Sequence, residues 1–184
     1  MLRRSLLTSA IAASLLTTFS LPAFATQVYE TDLVIIGGGL SGLAAAQSAV
    51  DQGAKPIVLE KEAALGGGGN FPEGSLGVGT RYQKEHNINT TVDQVLIAAL
   101  QYHHYRADPH VLRVLIEESG KTIDWVMDKG AQMRGIRTMY PKDESLMTWH
   151  LFKGGAAGII QRFAKEVRAK GGTILTETPA KKLI

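Results

Sequence analysis

The stretch "LVIIGGGLSGLAAAQSAV", residues 33–50, carries a short apolar strand straight into three glycines and then into a helix of small residues. Glycine loses more backbone freedom on folding than any other residue, so three of them at one strand-to-helix turn imply a tight turn or a close approach. Gly37, Gly39 and Gly42 fit the spacing G-x-G-x-x-G. In that pattern the first glycine permits the turn, the second lets a pyrophosphate reach the backbone, and the third lets helix and strand pack closely. The helix N-terminus then directs free amides and a partial positive charge at the pyrophosphate. The competing reading is a turn that is tight for packing alone.

The context of the pattern favours the ligand. An apolar strand over 32–36, a helix over 40–52 ended by Gly53, and a second strand over 56–60 make a β-α-β unit. Glu60 closes the second strand 23 residues beyond Gly37, where a carboxylate can accept both hydroxyls of a ribose and would repel a 2'-phosphate. NADP is therefore disfavoured, and FAD and NAD remain. The next segment, "EKEAALGGGGNFPEGSLGVGT", holds two clusters of small residues, Gly66 to Gly69 with Asn70 and Gly74 to Gly79. That much unobstructed backbone suits a long, flat ligand and favours FAD, because a nicotinamide fold would turn sooner into another helix. A surface loop is the alternative reading of the same glycines.

Further along, the sequence predicts helices over 91–103, over 109–118 with Asp108 as cap and Pro109 in the first turn, and over 120–128 with Gly130 as terminator. "AAGIIQRFAKEVRAK", 156–170, has helical period, Gly171-Gly172 stops it, and "TILTE", 173–177, reads as a third strand. The order of elements is that of an α/β fold. No internal repeat or low-complexity linker divides it.

The N-terminus reads as a separate piece. "MLRRS" is basic, "LLTSAIAASLLTTFSL" is apolar, and Pro22 precedes Ala23-Phe24-Ala25, which together predict an export signal over 1–25 cleaved before Thr26. The apolar run is too short and too broken by Ser and Thr for a stable membrane anchor. Arg3-Arg4-Ser5-Leu6-Leu7 approximates a twin-arginine (Tat) signal, which carries folded cargo and is favoured over the Sec route for a protein that loads its cofactor before export. The expected location is the periplasm or another compartment outside the cytoplasm. Without Arg3 and Arg4 the net charge of +3 falls to +1, so the basic pI argues for neither nucleic acid nor a membrane surface. With no cysteine in the chain, disulfides, cysteine-held iron–sulfur clusters and C-x-x-C-H haem attachment are excluded. Redox chemistry would have to come from a bound organic cofactor.

At this point the residues resemble a family. "DLVIIGGGLSGLAAAQSAVDQGAKPIVLEKEAALGGGGN" resembles the FAD-binding start of the fumarate reductase and succinate dehydrogenase flavoprotein superfamily, and "TWHLFKGGAAGIIQRFAKEVRAKGGTILTETPAKKLI" resembles its later helix and adenine-side strand. The resemblance implies a Rossmann-like FAD-binding domain over 26–184, incomplete, with the second half of that domain and the substrate-capping domain lying beyond Ile184. It places Gly37, Gly39, Leu40, Ser41 and Gly42 at the pyrophosphate, Glu60 and Lys61 at the adenosine ribose, and backbone at Ala180 against the adenine. Gly68, Gly69 and Asn70, with Gly77, Val78 and Gly79, would line the flavin. Relatives that bind FAD covalently carry a histidine near the position of Asn70, and none stands between Glu60 and Tyr82, so the implied FAD is noncovalent.

The implied activity is hydride transfer from reduced flavin to an α,β-unsaturated carboxylate such as fumarate or urocanate. A separate electron donor such as a cytochrome is implied as partner. An NAD-dependent dehydrogenase, or a catalytically silent nucleotide-binding fragment, are the alternatives. Among other residues, His103, His104 and His110 lack acidic or cysteine partners at ligand spacing, so a metal site is not expected. His150 either faces the flavin or packs in the core. Ile123, Trp125, Val126 and Met127 read as core, Arg134 and Arg137 are candidates for substrate contact by charge alone, and no nucleophile elbow is present.

Overall fold

Strand β1 (Leu33–Ile36), helix α1 (Leu40–Asp51) and strand β2 (Pro56–Leu59) form the expected β-α-β unit, in a computed structural model that describes residues 27–139 and 145–183. The export-signal reading over 1–25 lies outside the described residues. Residues 27–30 carry no helix or strand, and a compact unit begins at Thr31.

Strand β6 (Thr173–Leu175) adds to β2 on the side away from β1, giving a parallel sheet of order β1-β2-β6. Leu33 stands opposite Pro56, and Ile57 opposite Thr173. Helix α5 (Gly155–Ala169) packs beside α1 on one face of this sheet. Ile35, Ala46, Val50, Val58 and Val167 fill the space between strands and helices, and Leu43, Ile159, Ile160 and Phe163 fill the neighbouring space between α1 and α5. At about 1.5–3 kcal/mol for each large side chain fully buried, these contacts dominate the stability of the layer. Leu33, Val34 and Ile36 of β1 remain 43%, 53% and 58% exposed, although strands of parallel sheets are usually covered on both faces.

Two expectations are corrected and one sheet is added. The predicted helices 109–118 and 120–128 are one helix, α4 (Pro109–Asp128), because Gly120 faces inward against the chain at Val78 and does not interrupt the hydrogen bonding. Asp108 does cap it, its Oδ1 accepting the amides of His110 and Val111. The glycine-rich stretch 66–79 is also structured, with a short 3-10 turn at Gly67–Asn70 followed by β3 (Gly74–Leu76). Finally, β3, β4 (Met133–Thr138) and β5 (Met147–Phe152) form an antiparallel sheet of order β3-β5-β4 that the sequence reading does not contain.

The remaining helices are α2 (Arg81–Glu85) and α3 (Val92–Tyr102), both started by a capping box, at Thr80/Gln83 and Thr91/Gln94. Val95 and Leu96 of α3 and Ile116 of α4 enclose Val78 in a second core. Among the described residues, no helix is long and apolar enough to cross a membrane.

Candidate functional site

The turn between β1 and α1 is built from glycines with different duties. Gly37 has φ +101°, which a side chain would strain. A methyl group on Gly38 would collide with Leu65 and crowd the Glu60 side chain, and one on Gly42 would collide with the Gly37 carbonyl. Gly39 is the exception. Its φ of −73° suits any residue, and a methyl group there would touch only the Gly66 carbonyl at an ordinary 3.7 Å. Among the described residues nothing stands closer than that carbonyl, so the space beside Gly39 is available to a ligand.

Gly39 is also the N-cap of α1, and no side chain caps the helix. The amides of Ser41 and Gly42 have no acceptor among the described residues, which leaves donors and the positive end of the helix dipole directed out of the turn. The 3-10 turn lies against this point: Gly66 donates to the Gly38 carbonyl at 2.9 Å, and a methyl group on Gly69 would press on Leu40 and Ile160.

Glu60 stands at the end of β2, 8% exposed, under the same turn. Its Oε2 accepts the Gly38 amide at 2.6 Å and its Oε1 accepts the Glu62 amide at 2.9 Å. Those two amides, Glu62 first, hold the carboxyl below its ordinary pKa against the opposing effect of burial. Each oxygen keeps a second lone pair, so the carboxylate can still accept two hydroxyls.

The other expected residues are spread around this centre. Leu40 and Ser41 form the first turn of α1, and Lys61 is exposed and paired with Glu62 at 3.3 Å. Gly68 is open to solvent, while the Asn70 side chain turns back to donate to the Leu65 carbonyl at 2.9 Å. Gly77 is buried and donates to the Thr148 carbonyl at 2.9 Å. Val78 sends its side chain into the α3–α4 core and its amide to Ser119 Oγ at 3.1 Å, and its carbonyl lies against Gly120 of α4. Gly79 is exposed with φ +76°, and Ala180 is exposed beyond β6. A cavity of about 680 Å³ runs between residues 63–65, Asn70 and α5, and of the expected residues only Asn70 lines it.

His150 is fully buried, its Nε2 2.8 Å from Thr80 Oγ1. Arg134 and Arg137 both reach Glu73, at 3.5 and 3.7 Å, on the exposed side of β4. His103, His104 and His110 are exposed, and Ile123 and Val126 are core, with Trp125 and Met127 packed against them. Several residues that shape the site were missed by sequence reasoning. Gly38 and Gly66 are signalled by the runs of glycine that contain them, and Thr80 with Gln83 by the T-x-x-Q spacing of a capping box, whereas Ser119 and Gly120 carry no local signal because their partner, Val78, lies far along the chain.

A parallel sheet, a glycine turn, an uncapped helix and a carboxylate fixed at the next strand end define a dinucleotide-binding fold. Residues 32–184 match the family described as FAD binding domain, and the chain belongs to that family, with FAD as its cofactor. The open face at Gly39 and the free amides of α1 fit that group. The chain is 35% identical over 150 residues to a vinyl phenol reductase of Lactiplantibacillus plantarum, covering 81% of this chain and 30% of that one. It is 31% identical over 143 residues to an NADH:fumarate oxidoreductase of Klebsiella pneumoniae, covering 71% of this chain and 15% of that protein. In fold it is similar to the open conformation of a flavocytochrome c3 fumarate reductase, with TM-score 0.71 and 21% identity over 84% of this chain and 28% of that one. The chain thus spans less than a third of the length of each of these proteins.

Proposed function

We propose that the whole protein is an exported, noncovalent FAD-dependent reductase that delivers hydride to the carbon–carbon double bond of an α,β-unsaturated carboxylate. Residues 26–184 supply part of the FAD-binding domain, after an export signal at 1–25 that uses the twin-arginine route. The observation that carries the reading is the open turn at Gly39 facing the uncapped start of α1, with Glu60 fixed beside it. Amides at Leu40, Ser41 and Gly42 would hold the pyrophosphate, Glu60 and Lys61 the ribose, backbone near Ala180 the adenine, and the segments 68–70 and 77–79 the flavin side. FAD bound there supplies the hydride, and the chain binds and orients it. Relatives named as reductases of fumarate and vinyl phenol support reduction of an activated double bond. Electrons would arrive from a separate donor such as a cytochrome.

The test is anaerobic oxidation of a reduced viologen dye by the full-length, yellow holoprotein with fumarate, urocanate or 4-vinylphenol. Saturable turnover with one of the two acids is expected, and turnover with 4-vinylphenol alone would overturn the carboxylate assignment. Export is tested separately. Arg3→Lys with Arg4→Lys should leave unprocessed precursor in the cell, and normal processing would point to Sec.

A further inference from the structure

Beneath the Gly77–Gly79 turn lies a closed polar network in which every side chain is at most 1% exposed. The Thr148 carbonyl accepts both the Gly77 amide, at 2.9 Å, and His150 Nδ1, at 3.0 Å. A carbonyl can only accept, so Nδ1 carries the proton, and in the neutral ring Nε2 is left as an acceptor. Thr80 Oγ1 therefore donates its hydrogen to Nε2 at 2.8 Å, which frees its lone pairs for the Gln83 amide at 3.0 Å. Gln83 closes the ring of bonds, accepting the Thr80 amide at 3.1 Å and donating to the Met147 carbonyl at 2.7 Å. The imidazole and Ile123 together crowd the side of Gly77 where a side chain would stand, since a methyl group there would lie 2.8 Å from each.

We infer that His150 is a positioning residue for the FAD site. As the neutral Nδ1–H tautomer it fixes the Thr80 hydroxyl, and through Thr80 and the shared Thr148 carbonyl it sets the path of the Gly77–Gly79 backbone. The inference rests on the reading that this turn lines the flavin. It does not need the imidazole to touch the cofactor, and at zero exposure the ring sits behind the turn. Burial pushes the His150 pKa down, in keeping with a neutral ring, although its bond to the Thr148 carbonyl and the charge of Asp124 act the other way.

The experiment uses the full-length holoprotein. Nitrogen-15 NMR should show His150 protonated at Nδ1 and bare at Nε2, and the opposite tautomer overturns the inference. Thr80→Val, which keeps the shape and removes the hydroxyl, should weaken FAD binding at least tenfold and narrow the gap in melting temperature between FAD-loaded and stripped protein. Thr80→Ser should restore both. Equal loss of stability with and without FAD, at unchanged FAD affinity, would make the network purely structural and overturn the inference. Should Thr80→Val fail to fold, His150→Gln, whose amide oxygen can still accept from Thr80, must hold FAD more tightly than His150→Leu, and equal affinities overturn the inference. Unchanged FAD affinity in Gly39→Val would instead remove the site reading underneath, whatever the Thr80 variants do.

Discussion

The Gly38 amide donates to Glu60 Oε2 at 2.6 Å, so the end of β2 is tied directly to the turn between β1 and α1. One carboxylate thereby serves two purposes. It satisfies two amides of the protein and keeps lone pairs for a ribose.

Glu60→Ala should show both losses. Removing the charged acceptor weakens FAD binding by about 1.5–3 kcal/mol, the range for hydrogen bonds to charged groups, and leaves the Gly38 amide without its partner in a buried site. A flavin fluorescence titration reads the first and melting of the stripped protein reads the second. Because the folded pKa of Glu60 is depressed, its contribution is complete above the ordinary glutamate value of about 4.3 and is lost as pH falls through the lower folded value. FAD retention in the wild type should therefore persist below that ordinary value before it fails, and loss already at pH 5 would contradict this role.

Gly120→Ala tests the correction to α4. Alanine gains about 1 kcal/mol of helix propensity over glycine. Against it, the new methyl group collides with the Val78 carbonyl, a backbone atom that cannot swing aside, and overpacking of this kind costs about 1–3 kcal/mol. The clash should win, lowering stability by up to about 2 kcal/mol in denaturant titration, and a stabilised variant would mean that α4 and the 77–79 turn do not meet closely.

Asp51 joins the ends of three helices, pairing with Lys129 at 2.6 Å and Lys170 at 2.7 Å, and it accepts from Gln47. Burial raises its pKa, but the bonds to Lys129, Lys170 and Gln47 outweigh burial and bring it to about 2. The depressed value means stability that is present above about pH 4 and lost as pH falls through 2. Allowing for solvent screening of a carboxylate that is 21% exposed, Asp51→Asn should cost about 1–2 kcal/mol at pH 7. It should also flatten the stability profile between pH 4 and 2, and an unchanged profile there would contradict the pairing.

The first β-α-β unit was legible in sequence because its signals are local: an apolar strand, glycines at fixed spacing, a terminator at Gly53 and Glu60 at the next strand end. The antiparallel sheet was not, and β5 shows why. Its inward positions are Thr148, His150 and Phe152, while Met147, Trp149 and Leu151 are only half-buried, so the polar members of the alternation face the core. Hydrophobic alternation therefore points the wrong way. In β4 the pairing slips between Met133 and Gly135 and again between Arg137 and Thr138, which erases the period of two. The Ser119-Gly120 pair looked like a helix break for a related reason. Contact with Val78 explains both: Ser119 Oγ accepts the Val78 amide, 41 residues away in sequence, and Gly120 is kept without a side chain by the Val78 carbonyl.

The central claim is that the glycine at 39 exists for the cofactor and not for the fold. Gly39→Val and Gly42→Ala separate the two, because a methyl group at 39 makes only an ordinary contact with the Gly66 carbonyl while one at 42 strikes the Gly37 carbonyl. The deciding measurement is FAD affinity of full-length Gly39→Val, read by flavin titration beside the melting temperature of the stripped protein. The account predicts a melting temperature lowered only by the small cost of losing a glycine N-cap, with FAD binding weakened at least a hundredfold, where Gly42→Ala lowers stability and affinity alike through its clash. Wild-type FAD affinity in Gly39→Val would contradict it.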